Sequence, residues 1–145
     1  MNQNDLKAWL KNFSSAITIL SILCSLNACS TDYAPKLAGT WEIDSVFDYH
    51  NGFTFTNRAP SPKERHTYSP DGTMLREGMG EKKQYYYELN KNQLIIRDLP
   101  NASVGNEMEI IKLDSNQLVL KKNKRPLFEG KKEVRYELRY FSRKQ

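Results

Sequence analysis

Apolar and polar residues alternate with a period of two along most of the chain after residue 37. In the first such stretch, Trp41, Ile43, Ser45, Phe47 and Tyr49 fall on one face, and acidic residues occupy the other. This alternation predicts a half-buried β-strand with one face toward a core. Seven similar stretches follow, so that strands are predicted at residues 38–49, 64–69, 73–79, 82–89, 93–98, 107–113, 117–122 and 133–141.

Most of the segments between these strands are short and rich in turn-forming residues. Residues 69–73, Ser-Pro-Asp-Gly-Thr, favour a three-residue hairpin loop because Pro presets the backbone, Asp caps the turn and Gly takes the left-handed position. This loop pairs residue 69 with residue 73, and therefore Tyr68 with Met74 and His66 with Arg76. The one long connection is residues 51–62, which carries Phe53 and Phe55.

Eight short strands joined mainly by tight turns, with no helix predicted after the leader, indicate an all-β fold. We expect an eight-stranded up-and-down antiparallel β-barrel, because closure removes the exposed edges of a sheet. The interior of such a barrel is either filled by side chains or wide enough for one small ligand.

The first 28 residues have the layout of a secretion signal. Residues 1–12 carry Lys7 and Lys11 against one acid, and residues 13–26 are mostly apolar. An apolar segment of this length is shorter than the roughly 20 residues that a membrane-spanning helix needs, which favours a signal peptide.

The signal ends in Leu26-Asn27-Ala28-Cys29, which resembles a bacterial lipobox. Its chemistry requires a thiol to form the thioether to diacylglycerol and a small residue before that thiol. We therefore expect Cys29 to be lipidated, whereas Leu23 makes Cys24 a poorer candidate. The alternative is an ordinary secretory signal with a chance cysteine.

These features divide the chain into a lipoprotein signal peptide at 1–28, a lipidated Cys with a short tether at 29–36, and a barrel domain at 37–145. With Cys24 removed and Cys29 lipidated, the domain has no disulfide and depends on its core for stability. Ser30 after the Cys is compatible with sorting to the outer membrane, with the domain facing the periplasm.

The net charge of +5 is concentrated near the end of the chain. Residues 121–145 hold ten basic and three acidic residues, a local charge of +7. A basic end on an exported protein suits anionic lipid headgroups or an acidic polysaccharide, while the export signal argues against nucleic acid. The alternative is a solvated strand face protected against edge pairing.

The sequence resembles the lipocalin-like domain of bacterial outer-membrane lipoproteins. The resemblance covers the whole mature domain and rests on the lipobox, on residues 37–41 (Leu-Ala-Gly-Thr-Trp) opening the first strand, on the hairpin at 69–73 and on residues 110–120. In lipocalins the Gly-x-Trp tryptophan plugs the closed end of the barrel, and an Arg near the last strand lies across its ring.

The resemblance implies that Gly39 and Trp41 form this structural plug. Arg135 or Arg139 would supply the Arg, although simple alternation turns both outward. It also implies that the loop at 51–62 covers the open end of the barrel and that the interior holds a small apolar molecule.

Other chemistry has little support in the sequence. The two histidines, His50 and His66, have no partner at metal-ligand spacing, so we expect no metal site and no cofactor. No nucleophile motif or phosphate-binding loop is present, and we do not expect an enzyme. Acids such as Asp98 or Glu109 are expected to pair with Arg76.

The aromatic residues suggest a ligand site. Phe47, Tyr68 and Tyr140 are predicted to face inward along with further tyrosines, and His66 and Arg76 would act as polar anchors. The predicted ligand-binding residues are Tyr49, Phe53, Phe55, His66, Tyr68, Arg76, Tyr85, Tyr87 and Tyr136. The alternative is that these rings only fill the barrel.

Two functions remain open from the sequence. One is a lipid-anchored monomer that binds a small hydrophobic or amphipathic ligand. The other is an interaction module with a filled barrel, which docks an envelope protein or an anionic surface through its basic region (Lys121, Lys122, Lys124 and Arg125) and through Ile110 and Val119.

Overall fold

A computed structural model describes residues 33–144 apart from residues 129 and 131. The predicted signal peptide at 1–28 and Cys29 lie outside the described residues. The elements are α1 (Tyr33–Leu37), β1 (Gly39–His50), β2 (Phe53–Arg58), β3 (Arg65–Tyr68), β4 (Thr73–Gly78), β5 (Glu81–Asn90), β6 (Gln93–Arg97), β7 (Asn106–Leu113), β8 (Gln117–Asn123) and β9 (Arg135–Arg143).

The strands form one antiparallel sheet that closes into a barrel. Neighbours follow chain order from β3 to β9, and both β9 and β3 pair with β1, so eight strands surround the interior. The remaining strand, β2, pairs with the second half of β1 beyond the end of β3. The predicted all-β, eight-stranded up-and-down barrel is confirmed, with one strand added.

Two segments predicted to be irregular have regular structure. Residues 53–58 form β2 rather than a loop, because Asn51 and Gly52 both adopt positive φ (47° and 94°), as a tight hairpin turn requires. Tyr33–Leu37 forms one helical turn that overlaps the end of the tether predicted at 29–36, and Leu37 is fully buried. Within the described residues no helix is long and apolar enough to cross a bilayer.

The apolar core fills the end of the barrel that lies against α1. Its residues come from the start of β1, from the end of β9 and from the ends of the other strands at the same end of the barrel. Its fully buried members include Trp41, Leu94, Leu118, Leu120 and Phe141. The predicted hairpin is present, with Tyr68 opposite Met74 and His66 opposite Arg76.

An irregularity in β1 reverses the faces of its second half. The pairing of β1 with β9 shifts register between Ile43 and Ser45, as at a β-bulge. Because the extra residue interrupts the period-two alternation, Val46 and Asp48 face the interior and Phe47 and Tyr49 face outward. The prediction that Phe47 and Tyr49 point inward is therefore wrong.

Strand β9 also presents the face opposite to the predicted one. Glu137 and Phe141 are buried, and Arg139 lies on the same inward face between them. Tyr136 and Tyr140 consequently face outward, contrary to the prediction. Leu138 and Tyr140 therefore lie on the outer wall, whereas Glu137 and Arg139 enter the open half of the barrel.

Candidate ligand-binding cavity

The closed end of the barrel is sealed around Trp41. The indole Nε1 donates a hydrogen bond to the carbonyl oxygen of Leu37 at 2.8 Å. The guanidinium carbon of Arg143 lies 4.2 Å from the centre of a Trp41 ring. Arg143 also donates to the carbonyl oxygens of Ala38, at 2.9 Å, and of Lys36. The arginine over the tryptophan is therefore Arg143, not Arg135 or Arg139.

The open half of the barrel contains a cavity of about 490 Å³. Met74, Ile96 and Met108 form apolar parts of its lining, and all three are buried core residues. The ring of Tyr85 and the side chain of Val104 extend this apolar surface. The other lining side chains are polar or charged and include four basic residues, Arg76, Lys83, Lys122 and Arg139.

A second cavity of about 290 Å³ lies beside the first, beneath the connection from β2 to β3. Ile43, Val46, Ala59 and Pro60 give it an apolar lining. Arg76 and Arg139 line both cavities, so these two guanidinium groups stand at the boundary between them.

Glu64 links two of the predicted site residues. Its carboxylate accepts from Nε2 of His66 at 2.8 Å and from Nε of Arg76 at 2.9 Å. The hydrogen bond from His66, together with the charge of Arg76, lowers the pKa of Glu64 to about 2, although partial burial opposes the shift. His66 is 4% exposed, and its Nδ1 atom is buried without a hydrogen-bond partner among the described residues.

Glu137 is the centre of a second charged network. Its carboxylate contacts Lys124 at 2.9 Å and Nε of Arg139 at 2.7 Å, and Lys124 also pairs with Asp48. Burial opposes ionisation, but the hydrogen bond from Lys124 and the charge of Arg139 outweigh it and lower the pKa of Glu137. These partners make a buried carboxylate tolerable on the inward face of β9.

The predicted ligand-binding residues separate into three groups. His66, Arg76 and Tyr85 line the cavity of about 490 Å³. Tyr68 and Tyr87 also face inward but pack edge to face with each other, with ring centres 5.3 Å apart. The Tyr87 hydroxyl donates to the carbonyl oxygen of Ser69 at 2.7 Å, whereas the buried Tyr68 hydroxyl has no partner among the described residues.

The other four predicted residues lie away from the cavity lining. Tyr49 and Tyr136 stack on the outer wall with their ring centres 4.8 Å apart. Phe53 and Phe55 are 81% and 63% exposed on β2. Because Phe55 lies directly opposite the inward-facing Asp48, these two rings project from the inner side of the sheet, beyond the barrel wall.

Several cavity residues were missing from the sequence prediction. Lys122 follows Leu118 and Leu120 at the same period-two spacing, and Lys83 precedes Tyr85 and Tyr87 in the same way. Alternation alone was therefore enough to turn both lysines inward. The predicted partners of Arg76 were also wrong, because Asp98 pairs with Lys83 at 2.7 Å and Glu109 accepts from Asn92.

The basic region near the end of the chain is divided between the two sides of the wall. Lys122 lines the cavity and Lys124 joins the Glu137 network, whereas Lys121 lies over the outer face of Tyr136. Ile110, which was predicted to face outward, is 3% exposed in the core, and Val119 is 5% exposed. The outward-facing basic surface is therefore smaller than the sequence suggests.

Comparison with protein-family models, curated proteins and solved structures finds no match to this chain. Among the described residues, no group of three or more His, Cys, Asp and Glu side chains is arranged to hold a metal ion. What the site offers to a ligand is an open cavity with an apolar floor and a cationic wall.

Proposed function

We propose that this protein is a membrane-anchored lipoprotein whose lipocalin-like barrel binds a small amphipathic ligand in the periplasm. The observation that carries this proposal is the cavity of about 490 Å³ in the open half of the barrel. Small-molecule sites commonly have volumes of about 300–1,000 Å³ and combine an apolar lining with a few polar groups. Met74, Ile96 and Met108 provide the apolar lining here, and the basic residues provide the polar groups.

The division of the barrel into two halves supports ligand binding rather than packing alone. The end near α1 is filled by Trp41, Phe141 and the core leucines, so it supplies stability. The other half is lined by charged side chains, among which Arg76 and Arg139 are hydrogen-bonded to Glu64 and Glu137. A ligand entering that half would bury apolar surface on the methionines without disturbing the core.

Native mass spectrometry tests this proposal directly. Protein released gently from its own membranes is expected to carry a bound mass that denaturation removes and that organic extraction recovers as an amphiphile. Repeated recovery of the empty barrel, with no uptake of added lipids or related molecules, would count against ligand binding.

The proposed lipid anchor needs its own experiment. A Cys29→Ala variant is expected to lose metabolic labelling by a fatty-acid analogue, with Cys24→Ala as the matched control that keeps it. Two or more acyl chains, at about 0.8 kcal/mol per buried methylene, would make the attachment stable. Equal labelling of the Cys29→Ala variant and the wild type would remove the anchor from the proposal.

The second candidate function is docking to an envelope partner. It is favoured by the apolar side chains of Leu127, Phe128 and Val134, which are between 57% and 60% exposed, and by the outward-facing Lys121 and Arg125. In-cell crosslinking of a Lys121→Glu, Arg125→Glu variant is expected to lose a partner band if this surface docks. An unchanged pattern of crosslinks would leave the docking function without support.

A further inference from the structure

The wall of the cavity of about 490 Å³ has more basic than acidic groups. Arg76, Lys83, Lys122 and Arg139 line it, against a single lining carboxylate, that of Asp98. Lys83 is paired with Asp98 at 2.7 Å, and Arg76 is paired with Glu64 at 2.8 Å. Arg139 is paired with Glu137 at 2.7 Å, so three of the four cations have an acidic partner.

Lys122 is in a different position. It stands opposite Glu137 in the pairing of β8 with β9, but the Glu137 carboxylate is already occupied by Lys124 and Arg139. Among the described residues Lys122 makes no ion pair or side-chain hydrogen bond. The half-buried Lys122 therefore brings to the cavity wall a positive charge that has no acidic partner among the residues that the structure describes.

Arg139 brings further donors to the same region. Arg139 on β9 lies opposite Leu120 on β8. It is therefore the diagonal neighbour of Lys122 on the inward face of the wall. Its contact with Glu137 uses Nε, and no other side-chain partner is found for its terminal nitrogens among the described residues. An ammonium group and a guanidinium group therefore face one cavity side by side.

We infer that Lys122 and Arg139 form an oxyanion subsite, so that the ligand is an amphiphile with a carboxylate or phosphate head and an apolar body. This inference rests on the proposed ligand binding and names the class of ligand. The head would accept charge-assisted hydrogen bonds from the two cations. The body would lie on Met74, Ile96 and Met108, which line the same cavity.

The methionine methyl groups allow a test in the full-length protein. Met74 and Met108 line this cavity, whereas Met79 is 83% exposed and lines the second cavity, so its methyl signal distinguishes binding there from binding beside Met74 and Met108. Methyl-¹³C-methionine protein would be titrated with octanoate, octyl phosphate and 1-octanol, which share a chain and differ in the head. The two anions are expected to shift the Met74 and Met108 signals at concentrations about tenfold lower than octanol does.

The variants Lys122→Gln and Lys121→Gln form a matched pair, because these neighbouring lysines lie on opposite sides of the wall. Lys122→Gln is expected to weaken the binding of both anions about tenfold and to leave the binding of octanol unchanged. Lys122→Arg is expected to retain the preference for anions over octanol. Lys121→Gln is expected to bind all three ligands as the wild type does. The relative affinities of octanoate and octyl phosphate would show whether the subsite prefers a carboxylate or a phosphate head.

Three outcomes would overturn the inference. If octanol and the anions bind equally well to the wild type, the cavity binds ligand but has no oxyanion subsite. If Lys122→Gln changes anion binding no more than Lys121→Gln does, the subsite is not at Lys122. If no ligand shifts Met74 or Met108, ligand binding in this cavity fails and the subsite fails with it.

Discussion

The guanidinium group of Arg143 covers the ring of Trp41 at 4.2 Å and donates hydrogen bonds to the chain that leads into β1. This single side chain joins the last strand, the first strand and the end of α1. Contacts between residues far apart in sequence therefore stabilise the closed end of the barrel. The cavity lies at the other end. Stability and ligand binding are consequently expected to respond to different mutations.

Arg143→Met is expected to lower the free energy of unfolding by about 2 kcal/mol, since it removes a cation–π contact and two hydrogen bonds near buried groups. Urea denaturation of the two proteins measures the difference. Lys144→Met is the control, because its pairing with Glu42 at 3.2 Å is solvent-exposed and is expected to contribute less than about 0.5 kcal/mol. Equal losses of unfolding free energy in the two variants would contradict a stabilising role of the Arg143 contacts.

Gly39→Ala is expected to cost about 2–3 kcal/mol for two separate reasons. Gly39 has a φ of 126°, which strains any other residue, and an added Cβ would lie 2.5 Å from Nη1 of Arg143. The double variant with Arg143→Met separates the two causes, because it relieves the clash and leaves the strain. Denaturation of the four proteins should therefore show a coupling of about 1 kcal/mol, and strict additivity would disprove the contact.

Tyr68→Phe and Tyr87→Phe are expected to have opposite effects. The Tyr68 hydroxyl is buried without a partner among the described residues, so its removal should leave stability unchanged or raise it by about 1 kcal/mol. The Tyr87 hydroxyl donates to Ser69, so its removal should cost about 1 kcal/mol. Thermal melts of both variants test this, and a clear loss in Tyr68→Phe would indicate a partner for its hydroxyl.

The stability of the protein is expected to fall in acid partly through Glu64. Its pKa is about 2 in the folded state against 4.5 for the unperturbed group, so the unfolded chain binds the proton more tightly. The carboxylate therefore contributes stability above about pH 4.5 that disappears as the pH falls toward 2.

Glu64→Gln is expected to reduce the loss of unfolding free energy between about pH 4.5 and pH 2 by about 2 kcal/mol. Urea denaturation at several pH values measures this loss. Glu81→Gln is the control, because Glu81 is exposed at the start of β5 and has no ion pair among the described residues. A Glu64→Gln profile that stays parallel to the wild type would show that the network with His66 and Arg76 does not stabilise the fold.

The parts of the fold that depend on local chemistry could be predicted from the sequence. The hairpin at residues 69–73 fixed the register of β3 and β4, because a three-residue loop leaves one pairing for Tyr68 and Met74. The eight barrel strands followed from period-two alternation. β2 was missed because prolines and Gly52 surround it, although Phe53 and Phe55 carried the same alternation.

The faces of β1 and β9 could not be obtained from alternation alone. A bulge after Ile43 moves Val46 inward, and a polar Ser45 in an apolar row was its only trace in the sequence. In β9 the preference for burying apolar side chains pointed the wrong way, because Glu137 and Arg139 are stabilised inside by Lys124 and by each other. Such compensation depends on residues distant in sequence, so the inward positions of Glu137 and Arg139 were not predicted, whereas those of His66 and Arg76 were.

The most direct test of ligand binding is to locate a ligand inside the barrel. Intermolecular NOEs between the chain protons of octanoate and the methionine methyl groups of the full-length protein report contact. We predict NOEs to Met74 and Met108, which line the cavity, and none to the exposed Met79. NOEs to Met79 alone would place octanoate in the second cavity, and these or the absence of any NOE at saturating ligand would contradict a binding site beside Met74 and Met108.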